Sequence, residues 1–216
     1  MKQNWGTRGG FRGNTEAPEP EEEKHGREIL VAEPKSLEIV ENRIYFYSEI
    51  DRETVLNLNR HLRSKQNDEL YRRQIEESDA ITPIFLHIQS FGGSIFAGLA
   101  AMDQVLQIRK KVPIHTIIDG CAASAATFVS VVGTKRYMNP NAFMLIHQLS
   151  SAMWGKYSEF QDEMANLDRL MLKIREIYGQ YTTFPVDKLD GILKHDLWIG
   201  PKECLKYGLV DEILKA

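Results

Sequence analysis

Cysteine is nearly absent from the chain: Cys121 and Cys204 are the only two in 216 residues. Two thiols cannot build a disulfide framework and these lack metal-ligand spacing, so both are expected reduced and buried, with no structural metal. Long apolar runs are missing too. Nothing approaches the ~18 residues that a membrane span needs. The N-terminus also lacks the apolar core of a secretory signal, which makes the cytoplasm the expected compartment. No dense basic cluster exists, and the formal net charge is −3, so neither nucleic acid nor an anionic membrane is the expected partner. The lysine and spacing of a Walker loop are missing as well, and no cofactor is expected.

What remains suffices for one domain, since 43% hydrophobic and 26% charged residues over this length can bury a sizeable core. Residues 1–27 stand apart. Gly6, Arg8, Gly9, Gly10, Arg12 and Gly13 lead into Glu16, Pro18, Glu19, Pro20 and the run Glu21-Glu22-Glu23-Lys24. Such composition cannot offset chain entropy by burial, so this stretch is expected to be a disordered tail or a removable propeptide, with one domain over 28–216.

From Glu28 onward the patterning is continuous. Residues 42–47, rich in β-branched and aromatic side chains, read as a strand. Val55, Leu58 and Leu62 lie at helical spacing among charges, so 51–74 reads as an amphipathic helix with an exposed charged end. Residues 83–88 read as a central buried strand, in which His87 is better taken as a hydrogen-bonded core histidine than as a catalytic one. Residues 94–109 read as a helix, 112–118 as a strand and 125–132 as an apolar helix. A turn over 133–136 then leads to a strand over 142–147. The longest predicted helix, 158–178, has Ser158 and Gln161 as a capping box and Phe160, Met164, Leu167, Met171, Ile174 and Tyr178 in one packing stripe. Leu170 and Leu172 lie off that stripe, so the helix is expected to pack on a neighbouring subunit as well. A short helix over 201–207, capped by Gly208, and a last piece over 209–214 close the chain. The alternation of strands and helices gives the α/β class.

Chemistry concentrates in Gly120-Cys121-Ala122-Ala123-Ser124-Ala125-Ala126, where nothing local explains a hydroxyl. Serine is a weak nucleophile unless a base takes its proton, and the base needs a third group to fix its tautomer. His147, ending an apolar run, and Asp196, in His195-Asp196-Leu197-Trp198, supply those types. Their order, Ser then His then Asp, is not that of chymotrypsin, subtilisin or the α/β-hydrolases, so another fold is required. Gln89-Ser90-Phe91-Gly92-Gly93-Ser94 supplies a glycine turn between strand and helix that can aim backbone N–H groups at an oxyanion. Taken singly each has a plainer reading: Ser124 as a small helix-packing residue, His147 as a core histidine, Asp196 as a cap or a solvated charge. Their joint weight depends on order and spacing within a frame.

That frame resembles the proteolytic subunit of the Clp protease, a family of serine peptidases that form stacked rings and degrade protein fed by an AAA+ unfoldase. The resemblance runs from about Ile44 to Leu214. It rests on Phe91-Gly92-Gly93-Ser94 with Gly98, on Gly120 to Ala125, on Lys135-Arg136 followed by Pro140-Asn141 and Ile146-His147-Gln148, on Asp196 with Gly200 to Cys204, and on Tyr207-Gly208-Leu209-Val210-Asp211. It implies a ClpP/crotonase-type fold of repeated ββα units, with 158–178 as the long handle helix that interlocks two rings. It implies Ser124, His147 and Asp196 as nucleophile, base and orienting acid, Gly93 and Ala125 as oxyanion donors, and Gly92, Ser94, Leu149 and Ser150 in the substrate cleft. The implied substrates are polypeptides, the implied assembly is a homo-oligomer of stacked rings, a tetradecamer, and the implied partner is the unfoldase.

The chain departs from the family pattern at five places. Phe91 replaces a proline in the glycine turn, and Leu149 replaces another after His147-Gln148. Ser150-Ser151-Ala152-Met153-Trp154-Gly155 stands where the family has a glycine-rich stretch, so the strand lining the substrate cleft is expected to have different side-chain pockets. An insertion around Leu70 to Asp79 is expected to lengthen the helix-to-strand connection. The segment before Ile44 does not match the family's axial N-terminal loop. Rival readings are a catalytically silent ring subunit and a dedicated processing peptidase, for example in phage capsid maturation or of signal-peptide type. Crotonase-type acyl-CoA chemistry, which needs no Ser-His-Asp set, ranks last.

Overall fold

The structure, a computed structural model, describes residues 37–152 and 154–215; the tail expected over 1–27, and the start of the domain at 28, lie outside them. Fourteen elements follow one another: β1 (Leu37–Val40), β2 (Arg43–Phe46), α1 (Arg52–Ile75), β3 (Ile84–Ser90), α2 (Ile95–Ile108), β4 (Ile114–Ala123), α3 (Ala125–Val131), β5 (Lys135–Met138), β6 (Phe143–Leu145), α4 (Tyr157–Tyr181), α5 (Val186–Leu193), β7 (Trp198–Ile199), α6 (Pro201–Lys206) and β8 (Glu212–Ile213). The α/β expectation holds. Among the described residues no helix is long and apolar enough to cross a membrane.

One sheet runs β1-β2-β3-β4-β5-β8, with β6 and β7 branching off β4. Among the described residues only the β1–β2 and β6–β7 pairs are antiparallel. β4 divides its partners: His115 to Ile118 pair with Lys135 to Met138 of β5, whereas Cys121 to Ala123 pair with Phe143 to Leu145 of β6. Gly120, at φ +137°, stands between the two halves. The sequence pattern predicts a strand that ends at 118 and a turn over 133–136. In fact β4 continues to Ala123, and β5 begins at Lys135 because β4 offers it a parallel partner.

The core lies between one sheet face and the helices α1, α2 and α3. Ile44, Leu86, Ile88, Ile114 and Ile118 are buried from the sheet, and Leu58, Leu62, Ala101, Val105 and Ala126 from the helices. Asp51 caps α1, its Oδ1 accepting from the N–H groups of Glu53 and Thr54 at 2.8 Å each. The helix absorbs much of the 70–79 insertion rather than yielding to a loop. Its charged end is not wholly exposed either: Glu69 is buried, accepts from Arg72 Nη2 at 2.7 Å and from the Thr82 N–H at 2.7 Å, and thereby joins helix end to β3 approach. His87 is the core histidine expected. Arg43 Nη1 donates to its Nε2 at 2.9 Å, which leaves the Nδ1 proton for Asp119 Oδ2 at 2.7 Å.

α4 is longer than expected and starts differently. The Lys156 N–H donates to Glu159 Oε2 at 2.8 Å, so the first turn is held by this pair and not by Ser158 and Gln161, which already lie within the helix. Only Ile174, Ile177 and Tyr178 of its side chains are buried, whereas Phe160, Met164 and Leu172 stand exposed. Cys204 is buried as expected, but Cys121, within β4, is only half-buried. The closing piece forms β8 beside β5.

Candidate active site

Ser124 sits where β4 turns into α3, at φ +53° and ψ −128°. A non-glycine residue held there costs about 1–3 kcal/mol and persists only where its surroundings over-determine it. They do so here. The Ser124 N–H donates to the Leu145 carbonyl at 2.8 Å, and its own carbonyl accepts from the N–H and Oγ1 of Thr127 at 3.0 and 2.6 Å. Both backbone groups are thus committed, and the bend turns the side chain out of the sheet.

The glycine turn is fitted against this bend. A Cβ on Gly92 would fall 2.7 Å from Ser124 Cβ and 2.6 Å from the Ala123 carbonyl, closer than real side chains approach. One on Gly93 would run into the Ile50 carbonyl. Ile50 stitches the turn in place: its N–H donates to Gly92 O and its carbonyl accepts from the Ser94 N–H, both at 2.7 Å. The Gly93 N–H takes no part in that stitch. Ala125 opens α3, so its N–H lacks an intrahelical partner. Two backbone donors therefore flank Ser124.

His147 follows β6, whose register with β4 sets Leu145 beside Ala123. Its Nδ1 lies 3.2 Å from Asp196 Oδ1. Asp196 reaches it because the Gln148 N–H donates to Leu193 O at 2.7 Å, tying the strand end to the end of α5. The Asp196 side chain remains 78% exposed. Among the described residues no hydrogen bond joins Ser124 Oγ to His147.

A cleft of about 270 Å³ collects Gly93, Ser94, Ser124, Ala125, His147, Leu149 and Ser150. Gly92 lies behind Ser124, and Asp196 approaches His147 from outside. Every residue expected at the site is thus in the cleft or against it. Ile95, Phe128, Ile174 and Tyr178 form its apolar wall. Tyr178 belonged to a stripe read as packing surface alone, and nothing in its helical spacing distinguishes a cleft wall from a core. It is fully buried and shares a 2.6 Å hydrogen bond with Thr127 Oγ1, and burial pushes its hydroxyl pKa far up. Thr127 in turn holds the Ser124 carbonyl, so the wall and the bend are one network. A larger hollow of about 630 Å³, near Lys188, His195 and Glu203, contains neither Ser124 nor His147.

One cleft thus gathers a buttressed hydroxyl, an imidazole paired with a carboxylate and backbone N–H donors, groups of the types that acyl transfer uses. The residue profile of the Clp protease family matches residues 40–216. The ATP-dependent Clp protease proteolytic subunit 2 of Treponema denticola is 33% identical over 143 residues, covering 65% of this chain and 70% of that protein. A solved structure of a ClpP1 mutant from Listeria monocytogenes aligns with a TM-score of 0.68 at 22% identity, covering 81% of this chain and 92% of that chain. At that identity it bears on the fold.

Proposed function

The chain belongs to the Clp protease family, and on that footing we propose that it is a serine endopeptidase acting within a ring-shaped homo-oligomer on unfolded polypeptides. Ser124 Oγ attacks the scissile carbonyl carbon while its proton passes to His147 Nε2. Asp196, on Nδ1, keeps the ring in the required tautomer and stabilises the imidazolium. The oxyanion accepts from the N–H groups of Gly93 and Ala125. Collapse of the tetrahedral adduct breaks the C–N bond, and the amine leaves with the proton from Nε2. Water then attacks the acyl-enzyme by the same steps reversed, which frees Ser124 and the acid product. Gly92, Ser94, Leu149 and Ser150 border the path of the bound chain.

The observation that carries this reading is the strained, doubly anchored Ser124 with its two flanking donors. The exposed apolar side chains of α4 support stacking of rings, since the area they would bury favours association at roughly 25 cal/mol per Å², before association costs. The absence of a Ser124–His147 hydrogen bond fits a triad that closes on assembly or substrate binding. An AAA+ unfoldase is the partner that would deliver substrate. A fluorophosphonate probe should label the assembled protein at Ser124, and Ser124→Ala should abolish labelling. An assembled protein that takes up no probe would defeat the proposal and leave the silent ring subunit as the better account.

A further inference from the structure

The chemistry above uses one side of Ser124. On the other side lies a second hollow of about 300 Å³, lined by Phe91, Gly120, Cys121, Phe143 and Trp198 and walled almost wholly by carbon. Its aromatic side chains are unusually open for their size: Phe91 is 73% exposed, Phe143 45% and Trp198 44%. Phe91 and Trp198 meet edge to face with centroids 6.3 Å apart. A contiguous exposed apolar patch of this kind marks a binding surface.

Its position relative to Ser124 follows from chain connectivity. Three segments run in the same direction from this hollow into the cleft: Phe91 to Gly93, Cys121 to Ser124, and Phe143 to His147. Trp198 pairs with Leu145 and stands two residues beyond Asp196. Gly92 and Ser124, packed against each other, therefore divide the two hollows. The proposed oxyanion donors and residues 147–150 all line the first hollow, which on the proposed mechanism is where the acyl half of a substrate lies. The departing half must leave past His147 on the opposite side. Phe143 precedes His147 by about 13 Å of strand, a span that an extended substrate crosses in about four residues.

We propose that this hollow is a leaving-side subsite that takes an apolar side chain of the substrate within about four residues beyond the scissile bond, with Phe91 and Trp198 as specificity-determining residues. The inference rests on the serine-peptidase reading. It also gives the phenylalanine in the glycine turn a role: a ring at this position reaches into the hollow.

The test uses the assembled full-length protein and internally quenched peptides that share one acyl half and carry Leu, Phe, Gly or Asp at successive leaving-side positions. At one of those positions kcat/KM for Leu or Phe should exceed that for Gly by about tenfold, the scale set by partial burial of one apolar side chain. The ratio should fall to near one in Phe91→Ser and in Trp198→Ala and persist in Phe91→Leu. A general folding defect lowers all four peptides together and leaves the ratio untouched. As a second reading, a Leu-bearing leaving-side peptide should slow alkylation of Cys121 by iodoacetamide in Ser124→Ala protein, and the Gly peptide should not. A flat preference in the wild-type protein, or a preference surviving both Phe91→Ser and Trp198→Ala, overturns the subsite. So does a native mass that shifts in Phe91→Ser while the ratio holds, which makes the hollow a contact between copies. Failure of fluorophosphonate to label Ser124 in the wild-type protein removes the peptidase reading and the subsite with it.

Discussion

Replacing Gly92 with alanine probes how tightly the bend at Ser124 is built. The backbone at Gly92 has φ +95°, where a Cβ costs about 1–2 kcal/mol. The added methyl would lie 2.7 Å from Ser124 Cβ, 2.6 Å from the Ala123 carbonyl and 3.1 Å from the Ala125 nitrogen. None of these atoms can swing away by a rotamer change, so overpacking adds about 1–3 kcal/mol. The sum, about 2–5 kcal/mol, is a large part of the roughly 5–15 kcal/mol that holds a domain together. At about 2–4 °C per kcal/mol for a chain of this size, Tm should drop by roughly 4–20 °C. The chemistry should suffer separately, because relief of the clash displaces Ser124, and a misplacement of about 1 Å costs on the order of a hundredfold in rate. Thermal unfolding gives the first quantity, and the second-order rate of fluorophosphonate labelling, measured well below the variant's Tm, gives the second. Gly191→Ala is the control: nothing lies within 4 Å of its would-be Cβ inside α5, so it should raise Tm slightly. A Gly92→Ala protein that melts and labels like the wild type refutes the reasoning about this contact.

Asp196→Asn should lower kcat by about a hundredfold, less than loss of a buried triad acid, because the carboxylate is 78% exposed and water screens it; KM should change little, and a larger KM than kcat effect argues against an orienting role. Glu69 has a carboxyl pKa held below its ordinary 4.5, first by its hydrogen bond with Arg72, against the opposing effect of burial. A depressed folded value contributes stability above the unfolded pKa that is lost as pH falls through the folded one. The stability gap between wild type and Glu69→Gln, followed by urea unfolding, should therefore be widest near neutrality and close below about pH 4.5; a gap that widens in acid contradicts the pairing. Met164→Asp places a charge on the exposed apolar face of α4 and should lower the native mass toward that of single rings, with Tm of the separated species nearly unchanged; an unaltered mass means that this face is not a ring contact.

Much of the scaffold could be read in advance because burial and periodicity coincide in it. Val55, Leu58 and Leu62 recur at helical spacing and all three are buried in α1. Ile84, Leu86 and Ile88 alternate down β3 in the same way. The residues that meet in the cleft stand out in the sequence for a different reason: a lone hydroxyl in an alanine-rich run and a glycine pair after a strand are unusual local choices that need a cause. Where partners decide structure, local reading failed. β5 is four residues long, Lys135-Arg136-Tyr137-Met138, with two charges, and becomes a strand only because β4 offers an edge. β6 and β7 are shorter still and depend on each other. Ser158 and Gln161 fit the capping pattern by residue type, whereas the turn that opens α4 starts at Lys156, whose side chain caps nothing and whose N–H alone is held by Glu159, so only three-dimensional context chooses it. Tyr178 shows the same limit, since helical spacing announces a buried face without saying whether a cleft opens beside it.

The division of β4 between two partners makes the sheet a fork whose branches differ in resistance to opening. The thick branch sets β3, β4 and β5 side by side under three helices. Ser124 follows the other half of β4 and its N–H reaches the Leu145 carbonyl of β6, but it leads straight into buried α3. His147 hangs from the thin one, three residues of β6 and two of β7. Amides of the thin branch should exchange with deuterium through local openings, whereas those of the thick branch need unfolding of the whole domain. Local opening of the thin branch would break the bond from the Ser124 N–H to the Leu145 carbonyl and change the distance between Ser124 and His147 while the core stays folded.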